Sequence, residues 1–151
     1  VERTLVILKP DALQRRLIGQ LIARFEAKGL KLVAMKMIRV TPELAARHYA
    51  EHEGKPFYAP LMKFITSAPV VVMALEAPGV VAMVRRLVGK TFGAEAEAGT
   101  LRGDFGVSNR FNLVHASDSP DSAARELALF FNTDELLEYK MHDESLISEL
   151  L

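Results

Sequence analysis

The sequence contains no cysteine. A disulfide framework and a thiolate metal site are therefore excluded, and a reducing compartment is compatible. It also lacks an excess of either charge. Nineteen Lys and Arg residues balance nineteen Asp and Glu, for a formal net charge of zero. That removes electrostatic support for general nucleic-acid or membrane-surface binding, while leaving room for a local basic pocket. No apolar run approaches the roughly eighteen residues of a membrane span. The strand-like start carries no signal-peptide pattern, so a cytoplasmic location is expected. The chain begins at Val1 without an initiator methionine, which fits a residue removed or left out. Internal repeats, linkers and low-complexity stretches are missing as well. What is present is 151 residues, expected to form one domain over 1–151. A chain of that size can bury roughly 70 % of its unfolded surface, enough for a core without staples.

The elements read in order. Thr4-Leu5-Val6-Ile7-Leu8 is a β-rich run ended by Lys9-Pro10-Asp11, since proline does not continue a central strand. Ile18, Leu21, Ile22 and Phe25 mark one helix face, and Gly29 stops it. Leu30 to Val40 reads as a second strand. Thr41-Pro42 opens a helix that carries Tyr49. After the turn Gly54-Lys55-Pro56, the spacing of Tyr58, Leu61, Met62 and Ile65 gives a short helix. Val70 to Leu75 is an unbroken apolar run, suited to a strand covered on both faces. Pro78 opens a helix with Val80, Val81, Val84, Leu87 and Val88 inward. From Gly89 to Arg110 there is no clear period, and glycines recur at 89, 93, 99, 103 and 106. A loop this long is usually functional or covered by a partner. A last strand and helix follow, Thr133 caps a short helix through Tyr139, and the tail to Leu151 reads as irregular. The order β-α-β, helices, β-α-β is the ferredoxin-like split βαβ pattern. It predicts an antiparallel four-stranded sheet with the first and third strands in the middle and helices on one face.

The chemistry concentrates in Asn112-Leu113-Val114-His115-Ala116-Ser117-Asp118-Ser119. A short strand delivers an imidazole to its end, and Ser119-Pro120 starts a helix with apolar positions Ala123, Ala124, Leu127 and Phe130. Glu126 lies on that helix. If the helix folds back beside its strand, the carboxylate reaches His115, fixes one tautomer and frees the other nitrogen as a nucleophile. The same residues also fit a half-buried histidine beside a solvated helix face. Gly89-Lys90-Thr91 resembles the end of a phosphate-binding loop, but Val84 stands where that loop needs glycine and a helix precedes it. His48, Glu51 and His52 match an inverted zinc-hydrolase pattern at three fixed residues, with no third ligand evident, and read otherwise as a polar helix face. Lys9, Arg85 and Arg102, the Thr91 hydroxyl, the Asn112 amide, and the apolar Phe57 and Leu61 together suit a nucleotide's phosphates, ribose and base.

Several segments in a fixed order carry a sharper resemblance: Glu2-Arg3-Thr4 with Lys9-Pro10-Asp11, His48-Tyr49 before Lys55-Pro56-Phe57, Gly99 to Phe105, and Asn112 to Ser119. Together they resemble the nucleoside diphosphate kinase family over roughly residues 2 to 139. The resemblance implies that His115 takes the γ-phosphate of a nucleoside triphosphate and passes it to a diphosphate, by a ping-pong route with broad base use. Glu126 would accept the other imidazole N–H, supported by Ser117. Lys9 and Asn112 would hold the sugar hydroxyls, with Lys9 also reaching the phosphates. Arg85, Thr91 and Arg102 would grip the phosphates, Phe57 would stack on the base with Leu61 behind it, and Tyr49 would flank the nucleophile. Mg2+ would bridge the phosphates without a protein cage. The expected partners are nucleoside di- and triphosphates and further copies of the chain. A homohexamer of three dimers is favoured, with a tetramer as the alternative, and the long loop is covered in the assembly. A non-catalytic nucleotide- or nucleic-acid-binding regulator on the same scaffold is the rival, but its hallmark would be loss of the histidine or its support. The chain departs from the family pattern at Ala12 and Ala116, where glycine is common, and at Gly93 and Ala98, where proline is common. Proline at position 93 or 98 is accordingly expected to stiffen the loop and strengthen assembly.

Overall fold

The computed structural model describes residues 1–148; the end of the expected irregular tail, 149–151, lies outside the described residues. Four strands, β1 (Glu2–Leu8), β2 (Lys31–Ile38), β3 (Val70–Ala77) and β4 (Val114–Ala116), form one sheet in the order β2-β3-β1-β4. Every neighbouring pair is antiparallel. The first and third strands are central, as the split βαβ pattern requires. The helices are α1 (Pro10–Gln14), α2 (Ile18–Ala27), α3 (Pro42–His48), α4 (Tyr58–Ile65), α5 (Val80–Val88), α6 (Leu101–Phe105), α7 (Pro120–Phe130) and α8 (Glu144–Ser148).

Strand alternation divides the core in two. Val6 and Leu8 of β1, with Val71, Met73 and Leu75 of β3, pack against α2 and α5. Leu5 and Ile7, with Val70, Val72 and Ala74, pack against α3, α4 and the end of α7. Helices therefore cover both faces, not one. The reason is in the central strands, where successive side chains on opposite faces are all apolar and none tolerates water. Each fully buried Leu, Ile or Val contributes about 1.5–3 kcal/mol relative to exposure.

Several local expectations shift. Pro10 does more than end β1: with Lys9 as N-cap and Pro10 at the first helical position, it opens α1. Gly79, not Pro78, caps α5. On α7, Ala124 faces outward, while Ala123, Glu126, Leu127 and Phe130 are buried. The segment after α7 is a single 3-10 turn, Thr133–Glu135, capped by Asn132 and not by Thr133, and the tail holds α8.

The segment 89–110 is more ordered than its missing period suggests. Gly93–Glu95 forms a 3-10 turn, and Thr100 caps α6 by accepting the Gly103 N–H at 3.0 Å. The segment is tied down by its own chain. Arg24 of α2 pairs with Asp104 at 2.6 Å, and Arg15 donates to the Phe105 carbonyl at 2.7 Å. A five-residue helix is too short to leave a readable period. Gly103 is required there, because a Cβ would lie 1.8 Å from the Glu97 carbonyl oxygen. Gly93 is also confined: a Cβ would sit 2.9 Å from the Gly106 carbonyl carbon. Proline at 93 thus forces the facing backbone to move, against the expected stiffening.

Candidate active site

The site lies where the end of β1 meets the start of the antiparallel β4. Ile7 pairs with His115 in the sheet, and Ser119 caps α7 by accepting the Ser122 N–H at 3.1 Å. That cap turns α7 back along the sheet. His115 Nε2 meets Glu126 Oε1 at 2.9 Å, and the Ser117 hydroxyl donates to the same oxygen at 2.6 Å. Burial raises the Glu126 carboxyl, but the bond and charge of His115, with the Ser117 bond, outweigh it and hold the group below its usual value. A carboxylate that accepts the Nε2 proton leaves Nδ1 of His115 with a free lone pair.

The turn before His115 is strained. Leu113 has φ +73°, and the Val114 N–H donates back to the Asn112 carbonyl at 2.8 Å. This is a three-residue γ-turn in its rarer positive-φ form. Asp11 Oδ2 accepts the Leu113 N–H at 3.0 Å, and the Lys9 N–H donates to the Leu113 carbonyl at 2.8 Å. Both backbone groups of the strained residue are thus held by the β1–α1 corner. Strain of this kind costs on the order of 1–3 kcal/mol and persists only where surroundings enforce it.

Around this turn the cations gather. Lys9 Nζ donates to Asn112 Oδ1 at 2.9 Å, and Asn112 Nδ2 donates to the Thr91 carbonyl at 3.0 Å. Thr91 therefore joins the site through its backbone. Burial, then the nearby Arg102 charge, pushes the Lys9 ammonium down to about 8, against the pull of Asp11. Arg102 is buried and donates to three carbonyls: Asn112 at 3.2 Å, Gly89 at 3.1 Å and Val114 at 2.6 Å. Burial, then Arg85, lowers its guanidinium to about 10. Two of the five guanidinium N–H groups remain for a ligand. Arg85 donates to the Ala116 carbonyl at 3.3 Å.

Phe57 and Leu61 stand further off. Among the described residues, no hydrogen bond or ring contact joins either of them directly to His115. Phe57 is 46 % exposed, a flat apolar plate beside His52 and Lys55, and Leu61 packs against the core one turn along α4. A row of rings links them to the centre: Phe57 to His52 at 5.2 Å, His52 to Tyr49 at 6.2 Å, Tyr49 to His48 at 4.6 Å, and His48 to His115 at 4.6 Å. Tyr49 is one ring removed from His115, and His48 is the neighbour in contact. His48 is buried, not part of a polar face, and burial followed by the His115 charge pushes it down to about 3. Burial and the Glu126 charge raise the Tyr49 phenol to about 12. Asp11, Leu113 and His48 carry no site role in the sequence pattern, although each lies within a segment that resembles the family: Lys9-Pro10-Asp11, Asn112 to Ser119 and His48-Tyr49.

A paired histidine and carboxylate beside buried cations is an arrangement for phosphoryl transfer. Comparison with known proteins decides the family. The family model for nucleoside diphosphate kinase matches residues 2–136. The chain belongs to the nucleoside diphosphate kinase family. It is 60 % identical over 141 residues to a nucleoside diphosphate kinase of Rhodopirellula baltica, covering 93 % of each chain. It is 53 % identical over 149 residues to one from Archaeoglobus fulgidus, covering 99 % of each. A solved halophilic nucleoside diphosphate kinase from Halobacterium salinarum, in complex with CDP, superposes with a TM-score of 0.95 at 47 % identity, covering 97 % of each chain. As a member of this kinase family the chain is a phosphotransferase, and its fold is the ferredoxin-like α+β fold read from the sequence. No helix among the described residues is long and apolar enough to cross a membrane.

Proposed function

We propose that the chain transfers the γ-phosphate of a nucleoside triphosphate to a nucleoside diphosphate through a phosphohistidine at His115. The observation that carries this is the 2.9 Å contact between His115 Nε2 and Glu126, which frees Nδ1. Nδ1 attacks the γ-phosphorus, and the bridging oxygen leaves with the diphosphate. A second diphosphate then takes the phosphoryl group from nitrogen, and the ring returns to its starting state. Glu126 stabilises the positive ring as charge develops, and Ser117 fixes the carboxylate's direction. Lys9, Arg85 and Arg102 neutralise phosphate charge, with Thr91 as a further contact. Lys9 and Asn112 hold the sugar hydroxyls. Losing one such charge-assisted contact in a water-poor site costs on the order of 3 kcal/mol, or about a hundredfold in rate. Phe57 stacks on the base from its exposed position, with Leu61 behind it. A π face reads every base alike, which supports broad base use. Tyr49 closes the wall behind the His48 ring.

The substrate is the Mg2+ complex of the nucleotide. The three-ligand group among the described residues, His48, His115 and Glu126, carries two nitrogens. Magnesium prefers oxygen, so phosphate oxygens suit it better than this cluster. The ion supplies charge neutralisation on the phosphates.

The chain acts as one domain over 1–151, in the cytoplasm, as a homohexamer of three dimers, with a tetramer as the alternative. Supporting assembly, Met35 and Met37 are 51 % and 60 % exposed on β2, an edge strand of the sheet. Light scattering measures the assembly directly. The function is tested with γ-labelled ATP. An acid-labile, base-stable phosphoprotein is expected, lost in His115→Ala; labelling that persists at another residue refutes the assignment.

A further inference from the structure

We propose that His48, His115 and Glu126 form a capture site for a borderline divalent transition ion, with zinc the best match, and that its occupation silences His115. The three side chains come from the end of α3, from β4 and from α7. One ligand atom from each lies within 4.8 Å of the others. Tetrahedral zinc, with bonds of about 2.0–2.2 Å, sets its ligands about 3.3 Å apart. The cluster thus closes by about 1.5 Å at its widest, within reach of side-chain rotation.

The independent observation is His48. It is 4 % exposed, and neither ring nitrogen has a hydrogen-bond partner. Buried polar atoms are satisfied in the great majority of cases, so two orphaned nitrogens on one ring need an explanation. The ring stands edge-on to His115, 86° between planes. A lone pair without a donor, beside a second imidazole and a carboxylate, is a ligand set waiting for a cation.

The chemistry selects the ion. Two imidazoles and one carboxylate form a three-ligand zinc set with an open fourth position. His115 is partly exposed, which leaves that position to a water or a phosphate oxygen. The Ser117 hydroxyl on Glu126 Oε1 orients the carboxylate, as outer hydrogen bonds do at metal centres. Magnesium, hard and oxygen-seeking, is not selected by two nitrogens.

Silencing follows from either mode of binding, and rests on His115 being the nucleophile. Coordination through Nδ1 uses the attacking lone pair. Coordination through Nε2 moves the ring proton to Nδ1 and blocks it there. No group is lost in either case, so chelation restores the original ring.

The test uses Co2+ as a visible probe for the zinc site. Chelator-treated full-length protein, without nucleotide, is titrated with Co2+ and followed by its visible d–d absorption; Zn2+ is then added to displace it. One equivalent per chain is expected to give the intense bands of low-coordinate Co2+. His48→Phe keeps a ring in the pocket and should weaken binding by at least about tenfold. If circular dichroism shows that His48→Phe does not fold, His115→Gln is read in its place with the same expectation. An absent spectrum in the unaltered protein overturns the proposal. Undiminished binding in the variant does so too, and would point to ligands outside the cluster such as half-buried His52 and exposed Glu51, 3.7 Å apart. A second arm labels His115 with γ-labelled Mg-ATP before and after zinc loading. Loss of label on loading, restored by chelator, is expected; labelling unaffected by a full zinc site overturns the silencing. Failure to label without zinc would sink the kinase reading and leave the binding result standing.

Discussion

Replacing Arg102 by lysine separates two roles that the sequence alone merges. A phosphate needs a positive charge, and lysine keeps it. The structure gives the guanidinium a second task, because it donates to the carbonyls of Asn112, Gly89 and Val114 at once. These carbonyls lie on two chain segments, one on each side of the strained Leu113 and one at the end of α5. One ammonium cannot match the three-way fork of the guanidinium; held to one of these carbonyls, it leaves the other two without a donor. The bonds to Asn112 and Val114 are buried. An unsatisfied buried polar group costs about 1–3 kcal/mol, and some water enters to relieve it, so Arg102→Lys should lose about 3 kcal/mol. For a chain of this size that lowers the melting midpoint by about 6–12 °C, read by differential scanning calorimetry at one fixed protein concentration. A urea titration should give a lower midpoint at unchanged slope. If stability stays within about 0.5 kcal/mol while activity falls, Arg102 works through charge alone and the clamp reading is wrong.

Glu126→Gln keeps the size and removes the charge that supports the imidazolium, so single-turnover phosphorylation should slow while nucleotide affinity holds; an unchanged rate refutes its orienting role. Lys9 should make nucleotide binding fall as pH rises through about 8, where its ammonium loses the proton, and calorimetric titrations from pH 7 to 10 measure it. Stability runs the opposite way. The folded group holds fewer protons than the unfolded one between about 8 and the ordinary 10.5, so its burial penalty is fully present below that window and relieved as pH rises across it. Lys9→Arg should flatten both trends. Phe57→Ala should weaken purine and pyrimidine nucleotides alike by roughly 1–3 kcal/mol, and a loss confined to one base would contradict stacking.

Local pattern determined the frame of this protein. The unbroken apolar runs Leu5–Leu8 in β1 and Val70–Leu75 in β3 specify central strands, because each face of each strand has to exclude water. Ser119-Pro120 sets where α7 starts, and a period of 3.6 then puts Glu126 on the same face as Ala123, Leu127 and Phe130. That face is buried, which is why the carboxylate eleven residues from His115 meets it. Tertiary structure alone decided the remainder. Asp11 holds Leu113 across 102 residues, and no local propensity would place a leucine at φ +73°. Thr91 joins through a carbonyl that every residue type possesses, so its side chain carried no signal of that contact. His48 looks from its neighbours like a polar helix position, yet packing against His115 and Phe130 buries it. Contacts of this range depend on which elements come together, and a sequence window of one helix or one strand holds no information about its partner.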